Sequence, residues 1–201
     1  MQAQINANAE VATLVRMAQE GDTSSFGELY ERFFDQIYRY VSFKTGSPSE
    51  AEDITGEVFV RMLESIHKFK WQGHPFSSWL FRIAHNLVVD HFRRKGKRNV
   101  VSLDNATINV EAVAVDVDSH IDTEMSMDEV RKAMVGLTVL QKEVISLRFA
   151  AGLSVAETAE AVGKKENAVK ALQHAGLKKL RRFLNPELST PSILLQQQQE
   201  T

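Results

Sequence analysis

The middle of the chain decides its architecture. Between Asn99 and Met125 it reads NVVSLDNATINVEAVAVDVDSHIDTEM, where β-branched residues mix with Asp and Asn and no 3.6-residue period is sustained. Apolar residues recur at helical spacing on both sides of this stretch, so the chain reads as two helical bodies on a tether. Charge divides the same way. Residues 1–99 carry 13 Lys/Arg and 12 Asp/Glu (+1), residues 100–129 carry 8 acids and no base (−8), and residues 130–185 carry 11 bases and 4 acids (+7). The expected organisation is all-α: a helical bundle over 1–99, a flexible acidic linker over 100–126, a second helical domain over 127–185 and a disordered Gln-rich tail over 186–201.

Local signals place the helices. From Val11 to Lys44 the apolar positions Leu14, Val15, Ala18, Phe26, Leu29, Phe33, Ile37 and Val41 define two helices broken at Gly21-Asp22. Gly46-Ser47-Pro48 ends the second, and Ser49 followed by Glu52 is a capping-box pattern that opens a third helix to about Lys68. A loop around Trp71 to Pro75 precedes a fourth helix from Ser77 to about Arg94. Helical periodicity resumes at Met127 and runs to Leu184, with interruptions at Gly152 and Gly163.

Composition excludes several functions. The chain has no cysteine, which removes disulfides, zinc ribbons and thiol chemistry and points to a reducing, cytoplasmic setting. The start MQAQINANAE has neither the basic nor the apolar part of a signal peptide, and no run approaches the roughly 18 apolar residues of a membrane span. Neither secretion nor membrane insertion is expected. The six histidines show no metal-ligand pairing, and no phosphate loop or nucleophile motif appears. Catalysis, a cofactor and a metal site are therefore not expected.

Two elements suit nucleic acid instead. Ser154-Val155-Ala156-Glu157 is a capping box, Gly163 suits the end of the helix it opens, and a short turn leads to another helix. On that second helix Val169, Leu172, Gly176, Leu180 and Phe183 share one side, while Asn167, Lys170, His174, Lys178 and Arg181 fall roughly 100–180° away. The pair matches a helix-turn-helix, with Ala156, Ala159 and Ala161 as the small residues at the crossing. Asn167, Gln173 and His174 suit base edges, and the lysines and arginine suit phosphates. On the fourth helix, Arg82, Asn86, Val89 and Arg93 form an outward stripe with Asp90 at its margin, ending in the basic run Arg93-Arg94-Lys95-Gly96-Lys97-Arg98. Trp71, His74 and Phe76 lie in the loop just before it. Aromatics beside cations suit single-stranded DNA. The competing reading makes these aromatics core residues, and for Trp79 it is the preferred one.

These residues resemble a known family. The stretch SEAEDITGEVFVRMLESIHK, from Ser49 to Lys68, resembles the polymerase-binding helix of sigma factor region 2. FSSWLFRIAHNLVVDHFRR, from Phe76 to Arg94, is similar to the signature that follows it, with Trp79-Leu80, Arg82-Ile83-Ala84, Asn86, Asp90 and the Arg93-Arg94 pair. Leu137 to Leu184 resembles region 4, including Leu147-Arg148-Phe149 and the VKALQH run from Val169 to His174. Without a domain between the two regions, the chain resembles the extracytoplasmic-function group of the sigma-70 superfamily. The resemblance departs at Gly56, where the family usually has Gln, at Lys165, where Ser or Thr commonly stands, and at Ala175, where Arg is common.

The resemblance implies a sigma factor that docks on core RNA polymerase through Asp53, Glu57 and Arg61. It implies minus-10 recognition by Asn86, Asp90, Arg93 and the Trp71 to Phe76 loop, joined by the neighbouring Arg82 and Arg94, and minus-35 contact by residues from Lys165 to Lys178. Core polymerase and promoter DNA are the implied partners, with room left for an anti-sigma factor. The competing reading is a free-standing helix-turn-helix regulator that binds its own operator as a dimer.

Overall fold

The structure is a computed structural model that describes residues 2–71, 75–100 and 127–184. The expected linker beyond Val100, the expected tail and His74 lie outside the described residues. What is described is all α. Helices α1 (Gln2–Gln19) and α2 (Thr23–Thr45) part at Gly21-Asp22, as the sequence break predicts, and Asp22 caps α2 by accepting the Ser25 backbone N–H at 2.9 Å.

Helix α3 (Pro48–Ser65) begins earlier than the Ser49/Glu52 pattern predicts. Ser47 is its cap, accepting the Glu50 N–H, and Pro48 follows as the first helical residue. A proline there has its φ already fixed near the helical value and gives up an N–H that would have no helical acceptor. A 3₁₀ turn, Ile66–Lys68, completes this arm. Helix α4 (Phe76–Val100) runs past Arg94 and through Gly96. Glycine costs a helix only about 1 kcal/mol against alanine and does not block it as proline would.

The second region holds α5 (Met127–Met134), α6 (Val139–Ile145) continued by a π-helical turn (Ser146–Ala150), α7 (Val155–Val162) and α8 (Glu166–Leu184). Both capping boxes here are reciprocal. Ser154 and Glu157 form the predicted one, and Thr138 with Gln141 forms another that opens α6. Gly163 ends α7 at φ 63°, a left-handed conformation that glycine adopts without a Cβ penalty.

Helices α1 to α4 enclose a core in which Leu29, Ile37, Tyr40, Val41, Val58, Met62, Leu80, Phe81 and Ala84 have no exposed surface. Phe76 belongs to it at 1% exposure, with the rings of Phe33, Phe69 and Trp79 at 5.6, 5.3 and 5.3 Å. In the second region Val144, Ala159 and Val169 pin α6, α7 and α8 together. Of the three alanines expected at the crossing, Ala159 alone is in that cluster. Ala156 is exposed, and Ala161 packs toward the first core.

The two regions do not stand apart. Leu147, Ala151 and Leu153, from the π turn and the loop after it, are buried within the core of α1 to α4. Beside them sits a charged contact. Glu143 on α6 is 4% exposed, and its Oε1 accepts from the Tyr40 hydroxyl at 2.6 Å and faces His85 Nδ1 at 2.9 Å. Its Oε2 accepts from Lys44 Nζ at 2.7 Å. Burial alone pushes the Glu143 carboxyl up, but the His85 hydrogen bond and the charges of Lys44 and His85 outweigh it and hold the group at about 2. Burial, followed by the charge of Glu143, drives the Tyr40 hydroxyl well above its ordinary 10.

Two outcomes follow for stability. Phe76→Ala removes a fully enclosed ring and is expected to lower unfolding free energy by about 3–5 kcal/mol, read as a shifted denaturant midpoint. Glu143 has a folded value below its ordinary 4.5. Its contribution, roughly 3 kcal/mol, is therefore fully present above about pH 4.5 and lost as pH falls toward about 2. The gap in urea midpoint between the wild type and Glu143→Gln should narrow across that acid window; a constant gap would contradict the assignment.

Candidate nucleic-acid interface

Helix α8 divides as its spacing predicts. Val169, Gly176 and Leu180 are buried, and Gly176 lets α6 approach so closely that an added Cβ would lie 3.2 Å from Ile145 Cγ1. Phe183, expected on the same side, is exposed, and Leu184 packs against the cluster of Ile145 and Leu180 instead. The opposite side presents Asn167, Lys170, His174 and Lys178 to solvent over about 16 Å, three turns of helix. Lys165 immediately precedes the helix, and its carbonyl accepts the Val169 N–H at 3.1 Å.

Gln173 is half-buried, and its Oε1 accepts from Arg148 Nε at 3.0 Å. Arg148 also donates to the Leu153 carbonyl. One of the two lone pairs on the amide oxygen is thus committed, and the side chain is held in place from behind by the π turn. The sequence reading missed Arg148 in this role. Leu147-Arg148-Phe149 is part of the family resemblance, but a pairing 25 residues away leaves no local pattern.

The α4 surface is mixed. Arg82, Asn86, Arg93 and Arg94 are exposed, and Asp90 is half-exposed with an ion pair to Arg93 at 3.0 Å. Arg94 Nε also donates to the Asp90 carbonyl at 3.4 Å. Lys95 and His91 reach Glu50 on α3 at 2.8 and 3.3 Å and fasten this half of the helix. Before α4, Trp71 is 45% exposed and packs edge-on against Phe69 at 5.1 Å. It is placed to offer a ring to a base. Phe76 is not: the resemblance put it on the minus-10 surface, but it is enclosed by three aromatic neighbours and can touch no strand. Trp79 packs partly buried against the core, as preferred from the sequence.

Helix α7 lies across the start of α4. Ser77 donates to Glu157 Oε1 at 2.6 Å, Ser78 to the Glu157 carbonyl at 3.1 Å, and Arg82 to the Glu160 carbonyl at 2.8 Å. The Glu157 carboxylate therefore sits at the first turn of α4, where the positive end of the helix dipole favours an anion. A cavity of about 220 Å³ opens beside it, lined by Lys68, Lys70, Trp79 and Arg82 among others. Nothing in the local sequence announced this contact.

On α3, Asp53 and Arg61 are exposed and Glu57 half-exposed, with Arg61 paired to Glu57 at 3.5 Å and to Glu64 at 3.3 Å. Val60 and Leu63 flank them at 54% and 58% exposure. Apolar side chains beside a short charged row suit a protein partner more than water. The family resemblance points to the charges and not to these two. Their mismatch with the apolar period of α3 was the available signal. Among the described residues no cluster of three His, Cys, Asp or Glu could hold a metal ion, and no helix is long and apolar enough to cross a membrane.

Comparison with known proteins agrees with this geometry. Residues 29–98 match the Sigma-70 region 2 family and residues 133–182 match Sigma-70, region 4. The ECF RNA polymerase sigma factor BldN of Streptomyces coelicolor is 39% identical over 177 residues, covering 88% of this chain and 67% of that protein. The ECF RNA polymerase sigma factor SigX of Bacillus subtilis is 31% identical over 163 residues, covering 80% of this chain and 84% of that protein. Two solved structures share the fold. CnrH, solved in complex with the cytosolic domain of CnrY, aligns with a TM-score of 0.66 at 22% identity, over 89% of this chain and 99% of that one. RpoE of Bartonella quintana, solved with the anti-sigma factor NepR, aligns at 0.68 and 21%, over 81% and 98%. With Sigma-70 regions 2 and 4 matched in order and these relatives, the chain belongs to the extracytoplasmic-function group of the sigma-70 family, bacterial sigma factors that direct promoter-specific transcription initiation.

Proposed function

We propose that this sigma factor docks on core RNA polymerase through the α3 row of Asp53, Glu57 and Arg61, and that Val60 and Leu63 bury their exposed surface there. Polymerase then holds α4 and α8 against two elements of one promoter. Asn86, Asp90, Arg93, Arg94, Arg82, His74 and Trp71 serve the minus-10 element. Lys165, Asn167, Lys170, Gln173, His174 and Lys178 serve the minus-35 element. The domains are residues 1–99 and 127–185, with 100–126 as the tether and 186–201 as a tail. The protein acts by binding, in the cytoplasm where polymerase works, and carries out no reaction of its own. The observation that carries the reading is the outward row of α8, whose amide, imidazole and ammonium groups occupy one face three turns long while the opposite face is buried.

An anti-sigma factor is part of the proposal, since the structural neighbour RpoE is solved with one. The free-standing regulator differs in one respect: it binds its operator without polymerase. Run-off transcription with core enzyme is expected to yield promoter-specific transcripts only when this chain is added, and a gel shift with the chain alone to show weak binding. Tight, specific binding by the isolated chain would overturn the assignment.

The α8 residues separate by type. Asn167→Ala is expected to lose about 1–3 kcal/mol of discrimination at one base pair and to relax preference there. Lys170→Ala should instead weaken binding to all sequences alike and reduce the slope of log K against log salt by about 0.9. Both are read on holoenzyme with promoter duplexes across a salt series; equal losses on every sequence for Asn167→Ala would remove it from base readout.

A further inference from the structure

Glu143 is a charged residue buried where its own region gives it nothing. Its neighbours on α6, Val144 and Ile145, are turned into clusters with α7 and α8. Every partner of its carboxylate belongs to the first region: Tyr40 and Lys44 on α2 and His85 on α4. A buried carboxylate stripped of its partners is strongly unfavourable, whereas one released into water is not. This group therefore favours two arrangements, the fully closed one and one in which α6 faces solvent, and disfavours a loosened contact in between.

The closed arrangement conflicts with promoter binding. In it α7 covers the first turns of α4, with Glu157 on Ser77 and Ser78 and the Glu160 carbonyl on Arg82. Of the side chains assigned to the minus-10 element, α7 reaches Arg82. Surfaces that touch each other cannot serve two separated elements, because a single turn of duplex already advances about 34 Å. The tether permits separation, since the 101–126 segment can reach about 85 Å at full extension.

We propose that Glu143 is a latch: by engaging Tyr40, Lys44 and His85 it holds the chain closed on itself, without any partner protein, and keeps the start of α4 covered. This rests on the reading of α4 as a promoter-facing helix. Opening exchanges the three contacts for water on both sides, so a partner that pulls the regions apart meets a two-state step.

The absence of cysteine allows a clean test. Glu31 and Lys179 are exposed and lie outside the proposed binding surfaces. Spin labels on Glu31→Cys and Lys179→Cys in the full chain report the distance between regions. A single narrow distribution is expected for the otherwise unaltered chain, and a longer, broader one for Glu143→Gln at unchanged helical content by circular dichroism. Lys44→Met and His85→Gln, which alter the other side of the contact, should do the same and stand in if Glu143→Gln does not fold.

A broad distribution in the parent chain, or distances unmoved by the variants from both sides, overturns the latch. A fluorescent A·T-rich single strand serves as the second probe. If the open form is the minor one, a tenfold shift toward it raises apparent affinity by about tenfold. Distances that lengthen without tighter strand binding would leave the latch standing and reject the promoter-facing reading of α4.

Discussion

The arrangement of the two regions depends on how one carboxylate is satisfied. Glu143 has two oxygens and three donors around it, all of them across the boundary. That geometry sets the register of α6 on α2 and α4, and the register carries Leu147, Ala151 and Leu153 into the first core. Apolar burial supplies adhesion, on the order of 2 kcal/mol for a fully enclosed leucine, but adhesion alone has no preferred angle. Directional bonds at 2.6 to 2.9 Å supply the angle. Once it is set, α7 lands on the first turn of α4 and α8 is left facing outward.

Covered and uncovered surfaces consequently differ in kind. The α8 row is polar on one side and packed on the other, so it needs no neighbour to be ready for a duplex. The α4 surface is part serine, part arginine and part aromatic, and the fold supplies it with an internal acidic cover. The cover reaches only the first turns of α4, through Ser77, Ser78 and Arg82, and leaves Asn86, Arg93 and Arg94 exposed.

Most of the fold was legible because helical period, caps and breakers are local. The Gly21-Asp22 break, the Ser154/Glu157 box and the two-sided α8 are all written within a few residues. Local reading failed where two signals competed: Ser47-Pro48 outranks Ser49 as the start of α3 because a proline is favoured at the first helical position. It failed again at Phe76, whose place beside basic and aromatic residues looks like a binding loop but whose ring is claimed by Phe33, 43 positions upstream. Contacts between the regions were not legible at all. Tyr40 and Glu143 lie 103 residues apart across a segment without periodicity, and Ser77 and Glu157 lie 80 apart. No pattern within one region specifies either pair.

Glu157 holds two positions at once. One carboxylate oxygen accepts the Ser154 N–H and closes the capping box of α7, while the other receives the Ser77 hydroxyl. A substitution of Glu157 that loosens its hold on Ser77 would also fray α7, which packs against α8. The hold of α7 on α4 and the integrity of α7 itself thereby meet in one side chain, and drift at this position cannot adjust the first without disturbing the second.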